Sequence, residues 1–524
     1  MLGRDFTYAL LQAVSGLDEA GLRSALERLA EADLLIVEGG GPQANYRFKH
    51  ALIQDAAYDS LLKSRRQALH RRAAEVLRDL KAEPEAIAHH FTQAGLDDIA
   101  IEWWGKAGDQ ALRRSAFQEA ISHLGKAIAM ADKGGEIAST GQRLKLQADY
   151  GLALSVSRGV AAEETRAVAA RTMQLAAGIN DLAARFAAYR ARIVSDLIGG
   201  QFGSATSTAE TYLEEARNAG AMPDVTFGCF VLGQSRMYQG ALPNARALLE
   251  EALRTDPGPN IVTSNVDWTT CGMAVLAIVC WHLGEIERAR MLIEQAKQRA
   301  HESRHGLTLA STYQFALTLD GLRGDADASL RDAEMLAEFA ERIGYAQYSD
   351  VANLRRILAR ARLGDREAGL QKFRDALTEY RKQTQAGIPV WLGRLAEFEA
   401  EGGSADTALQ RIDEALALAQ QTNQSWTDSR LHRIRGDILL KTDPENPARA
   451  EEAYLAAIAI AREQGARSFG LQAALKLAKL YQSTGRPVVA HDALAPAREG
   501  FAPTPEMPEI AEAQAVLAAL RGAA

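Results

Sequence analysis

The chain has 524 residues, more than one hydrophobic core usually serves, so several domains or one extended array are expected. Hydrophobic residues make up 47% and charged residues 24%, ordinary values for a soluble protein, and a net charge of -7 argues against a dedicated polyanion binder. The three cysteines, Cys229, Cys271 and Cys280, have neither metal-ligand spacing nor an even count, which fits a reducing cytoplasm.

Residues 2–14 read as an element already under way, without the polar lead-in common at a domain start, and no secretory leader pattern opens the chain. Leu17-Asp18-Glu19 then opens a helical stretch with Leu22, Ala25, Leu26 and Leu29 at helical spacing. Leu34-Leu35-Ile36-Val37 and Tyr46-Arg47-Phe48 flank Gly39-Gly40-Gly41-Pro42, the pattern of a hairpin with a loose tip. Helices followed by such a hairpin predict a small winged-helix-like unit over 1–62, with residues 50–62 as the helix leaving the wing. Linking helices follow over 63–98: a basic one carrying Arg65, Arg66, Arg71, Arg72 and Arg78, a break at Glu83-Pro84-Glu85, and two helices ending near Phe91 and Asp97.

From there a repeat takes over. A glycine followed five residues later by a small residue recurs in Gly200/Ala205, Gly240/Ala245, Gly284/Ala289, Gly324/Ser329, Gly364/Gly369, Gly403/Ala408 and Gly485/Ala490. A period of about 40 residues marks a stacked array sharing one continuous core. The glycine suits the turn between two helices, and the small residue lets the pair approach. In 101–134, Trp104, Gly108, Ala111, Ala120, Leu124 and Ala127 fall on the tetratricopeptide pattern, in which large residues fill gaps left by small ones. Pro257 closes a second helix, residues 141–180 and 305–345 fit the pattern poorly, and Asp443-Pro444 reads as an insertion. The longest apolar run, 273–281, is short of the roughly 20 residues that a membrane helix needs. The fold expected is therefore all-α: a tetratricopeptide-like helical-hairpin superhelix (α-solenoid) over 99–500, preceded by the unit with one β-hairpin and closed by a capping helix over 501–524.

Several segments resemble the bacterial signalling proteins that join a class III adenylate/guanylate cyclase, a STAND-type ATPase and a long tetratricopeptide tail. GRDFTYALLQAVSGL at 3–17 looks like the start of that family's winged-helix segment, and RFKHALIQDAAYDSLLKSRRQALHRRAAEVL at 47–77 is close to its most recognisable stretch. QAGLDDIAIEWWGKAGDQALRRSAFQEAISHL at 93–124 looks like its first repeat, and EQGARSFGLQAALKLAKLY at 463–481 and EGFAPTPEMPEIAEAQAVL at 499–517 resemble its closing helices. The ATPase phosphate loop, G-x-x-x-x-G-K-S/T, occurs nowhere in the sequence, and neither does a cyclase motif. The resemblance thus implies a non-catalytic region without cofactors, which regulates an ATPase or cyclase module in cis or in trans. An inherited cyclase or ATP-binding label is the alternative, and a free-standing adaptor or DNA-binding regulator is another.

Candidate residues follow from both readings. The resemblance implies that His50, after the hairpin, senses the nucleotide state; the plainer reading is a histidine packing or capping the hairpin–helix junction. Lys63, Arg65, Arg66, Arg71 and Arg72 suit a solvated face, contact with an ATPase core or nucleic acid, the last opposed by acidic residues in the 17–33 helix. His89-His90 and the His301/His305 pair lack a third ligand nearby in sequence, so structural roles are expected. A groove lined by first-helix residues such as Tyr189, Arg236, His282, Arg360 and Arg435 would take a protein partner, or a peptide or small-molecule signal; its ligand class is open.

Overall fold

The computed structural model describes residues 3–39, 44–135, 137–159, 162–176, 182–256, 258, 266–343, 346–364, 366–382 and 384–523. Its contacts divide the chain into two compact units, Met1–Ala153 with Arg171–Ala184, and Leu154–Ala170 with Arg185–Ala524. The first unit begins β1 (Asp5–Thr7), α1 (Tyr8–Ser15), α2 (Glu19–Glu31), β2 (Leu35–Glu38), β3 (Asn45–Phe48) and α3 (Ala51–Asp59). It continues with α4 (Lys63–Asp79), α5 (Pro84–Ala94), α6 (Asp97–Arg113) and α7 (Phe117–Lys133). The boundary between units then falls within α8 (Thr140–Arg158), α9 (Glu163–Ala176) and α10 (Leu182–Ile198).

The expected hairpin is present, and it gains a strand. All three strands pair antiparallel in the order β1-β3-β2, with Leu35 opposite Phe48 and Phe6 opposite Tyr46. Tyr8, Leu22, Leu26 and Leu35 form the small core beneath. Asp18 caps α2 by accepting from the Gly21 amide at 3.0 Å, which is why the helix starts there. The tip at 40–43 lies outside the described residues. The contact-based division is coarser than sequence-based limits at 62, 98 and 500, because α4 packs back on α1 and brings the helices after residue 62 into the first unit. One helix, not two, occupies the stretch up to Asp97: α5 ends at Ala94, and Asp97 opens α6. The first repeat obeys the expected large-into-small rule, since a Cβ on Gly108 would stand 2.5 Å from the Leu124 side chain.

The second unit runs through α11 (Phe202–Asn218), α12 (Met222–Tyr238), α13 (Leu242–Arg254), α14 (Trp268–His282), α15 (Ile286–Ser303) and α16 (Gly306–Arg323). Next come α17 (Ala326–Ile343), α18 (Ala346–Leu363), α19 (Arg366–Tyr380), α20 (Ile388–Glu401) and α21 (Ala405–Thr422). A 3₁₀ turn at Ser425–Thr427 leads into α22 (Asp428–Thr442), α23 (Ala448–Gln464), α24 (Arg467–Ser483), α25 (Pro487–Arg498) and α26 (Glu509–Ala523). The array is tetratricopeptide-like and helical, as expected, and the described residues of 305–343 join it as the hairpin α16–α17. Six of the seven turn glycines take left-handed φ between 73° and 90°; Gly364 does not. The small partners Ala205, Ala245, Ala289, Ala408 and Ala490 are all buried. Pro257 lies outside the described residues.

Helices alternate in character. The second helix of each pair buries a narrow stripe, as in α13 with Leu242, Ala245, Leu249 and Ala252. The first helices are covered far more completely: α14 buries thirteen of its fifteen residues, so protein meets it on nearly every side. What covers it is a later part of the same array. Ser468 Oγ at the start of α24 donates to the Trp281 carbonyl, Ser425 Oγ donates to the Gln239 carbonyl at 2.8 Å, and Thr384 Oγ1 donates to the Ile198 carbonyl. The three pairs are 187, 186 and 186 residues apart. Such a constant offset means that one superhelical turn lies on the next, in register. Each hydroxyl donates to a carbonyl at the C-terminal end of α10, α12 or α14, where backbone donors run short; the Trp281 carbonyl also accepts from the Gly284 amide at 3.1 Å. Gly240 makes the same close approach, since a Cβ there would lie 2.7 Å from Gln464 Nε2. Phe469 packs edge-on to Trp281 at 5.5 Å across this seam, and burying a phenylalanine of this kind stabilises by about 2 kcal/mol.

Candidate functional site

The stacked turns leave charged side chains in the interior of the second unit. Arg355 and Arg362 come from α18, Arg394 and Glu397 from α20, and Arg430, Arg433 and Asp437 from α22. Their spacings of three, four and seven residues place each set on one helix face. Glu397 is the hub. It accepts from Arg394 Nη1 at 3.1 Å, from Arg430 Nη2 at 3.0 Å on both oxygens and from Arg433 Nη2 at 3.1 Å, and Arg362 stands 3.8 Å away. Asp437 takes a second bond from Arg433, and Arg394 also donates to the Gly321 carbonyl. Arg355 lies with its guanidinium 4.4 Å from the Trp391 ring centre and forms no ion pair among the described residues.

The charges do not balance. Five guanidiniums meet two carboxylates, and two guanidiniums about 6 Å apart repel by about 3 kcal/mol at an effective dielectric near 20. The titration behaviour follows from the same surroundings. Burial alone would raise the Glu397 carboxyl, but Arg430, Arg394, Arg433 and Arg362 outweigh it and hold it well below the usual carboxylate range. Burial lowers Arg394 well below the ordinary arginine value and brings Arg355 down to about 10. The cluster is only partly closed: 18% of the Glu397 side-chain surface and 31% of that of Arg362 are exposed. This partly open interior is the lumen of the array. His282 lies beside this lumen, fully buried, against Trp426 at 5.5 Å and Phe469 at 4.7 Å, with neither ring nitrogen bonded. Burial, with Arg430 adding to it, pushes its pKa down to about 3.

The sequence-based candidates lie in several places. His50 occupies the N-cap position of α3, exposed, without a side-chain capping bond. Lys63 and Arg65 are exposed, Arg66 pairs with Asp59 at 3.4 Å, Arg71 pairs with Glu75 at 2.9 Å, and exposed Arg72 packs at the αL turn of Gly16. Tyr189 donates to Glu215, Arg236 to Glu210 and Arg360 to Glu334, and Arg435 pairs with Asp413 at 3.1 Å, so each is tied to a neighbouring helix. Arg360 also lines a cleft of about 1000 Å³ with Asp350, Arg356, Lys372, Asp375 and Glu379, a mixture of both charges. Of the five groove candidates, only His282 lies beside the arginine cluster. The expectation of an open first-helix groove along α14 is not met, because the later turn covers that face.

His90, His301 and His305 bond to neighbouring protein groups. His70 and His90 share a bond of 2.8 Å between their Nδ1 atoms, and His70 Nε2 bonds Tyr58 at 3.2 Å. His305 caps α16, and His301 bonds Tyr313 at 2.8 Å. Cys229, Cys271 and Cys280 are buried free thiols, with burial pushing Cys229 and Cys280 up to about 12. Among the described residues no group of three or more His, Cys, Asp or Glu is placed to hold a metal ion, and no helix is long and apolar enough to cross a membrane. Sequence reasoning missed the arginine cluster. Its signal was an arginine inside an apolar run, as in Leu392-Gly393-Arg394-Leu395-Ala396, where a charge is almost never buried unless paired.

No protein-family model matches the chain. It is 25% identical over 509 residues to the uncharacterized protein R02095 of Rhizobium meliloti (strain 1021), covering 92% of this chain and 48% of that protein. The chain therefore spans about half the length of the curated relative it matches. Among solved structures it is similar to the APC/C hetero-tetramer Cut9–Hcn1, with a TM-score of 0.49, 13% identity and coverage of 90% of this chain and 86% of that one. It is also similar to NprR in complex with its cognate peptide NprX, with a TM-score of 0.45, 16% identity and coverage of 71% and 97%. A third is the STAND protein with a tetratricopeptide repeat sensor, PH0952 of Pyrococcus horikoshii, with a TM-score of 0.36, 14% identity and coverage of 71% and 62%.

Proposed function

We propose that this chain is a non-catalytic, signal-sensing repeat region that regulates an attached or partner ATPase or nucleotide cyclase. The observation that carries the reading is the partly open interior, lined by arginines from three successive first helices and held by contacts between superhelical turns. A ligand there would bridge α18, α20 and α22, favour one spacing of the turns over another and so bias whatever is coupled to the array. The R. meliloti relative carries about as much sequence again outside the matched part, which leaves room for such a module.

In this reading residues 1–62 are the winged-helix remnant, 63–98 link it to the array over 99–500, and 501–524 cap the open end. His50 would face a nucleotide held by the ATPase, and Lys63, Arg65, Arg66, Arg71 and Arg72 would contact that module. The test is direct. Purified chain is expected to turn over no ATP and make no cyclic nucleotide, while the low-molecular-mass fraction of its source cells raises its melting temperature. Turnover by the purified chain, or no shift with any fraction, would contradict the sensory role.

A further inference from the structure

The lumen has the chemistry of an anion site, and its charge deficit says what kind of anion. Of its five arginines, Arg433 shares Asp437 with Lys476, which stands 3.5 Å from the other oxygen, and the others have at most a share of Glu397. Nearby carboxylates have other partners, Glu399 bonding Arg374 at 2.9 Å and Asp320 standing 3.5 Å from Arg323, and each keeps one buried oxygen without a hydrogen bond. The Nε atoms of Arg355, Arg394 and Arg433 are buried without a partner. Arg355 is 4% exposed and forms no ion pair among the described residues; the Asp320 carboxylate offsets its burial only in part, and the Trp391 ring lies against its guanidinium. A network that served stability alone would match its charges, because an unmatched buried one is costly. A planar guanidinium presents a fixed fork of donors that fits carboxylate and phosphoryl oxygens.

The size of the ligand follows from the walls. Ser468, Ser425 and Thr384 tie the turns together, and α12, α14 and α24 are almost wholly covered on their inner faces. An extended peptide has no open groove there, whereas a compact molecule needs only the pit that Arg362 and Glu397 open to water. We infer that the lumen binds a small polyanion, a molecule with two or more phosphoryl or carboxylate groups, held by Arg355, Arg394, Arg430 and Arg433. This rests on the sensory reading for its biological use and on geometry for its existence.

The test is titration calorimetry of the purified full chain at low salt, with inorganic pyrophosphate and citrate as probes and acetate at matched ionic strength as control. Saturable binding of pyrophosphate alone assigns a phosphoryl ligand, binding of citrate alone a polycarboxylate, and either supports the site. Arg355→Gln breaks no ion pair, so it is expected to keep its helical circular dichroism and weaken binding roughly tenfold or more. Arg355→Lys, which keeps the charge, is expected to restore part of the affinity, and Arg290→Gln on the surface to change nothing. No binding of either probe, or binding that Arg355→Gln and Arg394→Gln leave intact, overturns the site. Such a failure is separable from failure of the sensory role, which is read by turnover and by the cell-fraction shift.

Discussion

Replacing Glu397 by glutamine tests the interior charge arrangement at its hub. The amide keeps the shape of the side chain and removes the charge that Arg394, Arg430 and Arg433 share at 3.0–3.1 Å. Breaking a buried ion pair by removing one partner costs about 3–5 kcal/mol, and water at the partly open carboxylate argues for the lower end, about 3 kcal/mol. Urea unfolding followed by tryptophan fluorescence suits the purpose, because Trp391 lies within the cluster's contacts and Trp426 beside His282. The two units need not unfold together, so the comparison is made on the transition reported by these tryptophans. The sign with pH is fixed. Glu397 is held below the ordinary range, so its contribution is complete above the pKa of an unfolded glutamate, about 4.3, and is lost only as pH falls below that toward its folded value. The gap between wild type and Glu397→Gln should therefore stay constant from pH 6 to 8 (roughly) and close in acid. A variant within about 0.5 kcal/mol of wild type at neutral pH would refute the hub role.

Other consequences concern the seam and the first unit. Gly240→Ala must hold a left-handed backbone and also crowd Gln464, which donates to the Ser425 carbonyl at 2.8 Å, so a loss of about 2–3 kcal/mol is expected in chemical denaturation. Gly403→Ala has the same kind of backbone but open space around it, and should lose only about 1–2 kcal/mol; equal losses would mean the turns do not touch at Gly240. Ser468→Ala removes one bond from the Trp281 carbonyl, which keeps the Gly284 amide, and should cost about 0.5–1 kcal/mol, read from the same transition. In the first unit, burial lowers His70 and His90 to about 4. Both stay neutral in the fold while their unfolded counterparts take up protons below about 6.5, so stability should fall as pH drops from about 6.5 to about 4. His90→Gln should flatten that slope, and an unchanged slope would show that the pair does not control it.

The repeats were legible because they rest on local rules. A turn glycine and a small residue five positions later carry their reason within one hairpin, and Gly108 with Leu124 shows the fit at 2.5 Å. Gly364 is the exception, keeping the spacing without the left-handed turn. Strand β1 escaped notice because three residues are too few for an alternation to show. The seam and the arginine cluster were illegible for a different reason. Ser468 and Trp281 are 187 residues apart, and nothing near either one says that they meet. The helix α14 looked like a groove wall because first helices of open arrays usually are; its covering depends on how tightly the superhelix winds, which small angles at every repeat decide together. Arg394 within an apolar run was the one visible clue to the interior charges.

Hydrogen–deuterium exchange of the full chain with and without saturating pyrophosphate, repeated with citrate, bears most directly on a lumen that senses polyanions. The expected result is slower exchange in α18, α20 and α22, together with the seam segments around Thr384, Ser425 and Ser468 that the ligand would tighten. Exchange unchanged throughout with both probes, or protection confined to the exposed basic face of α4, would contradict it.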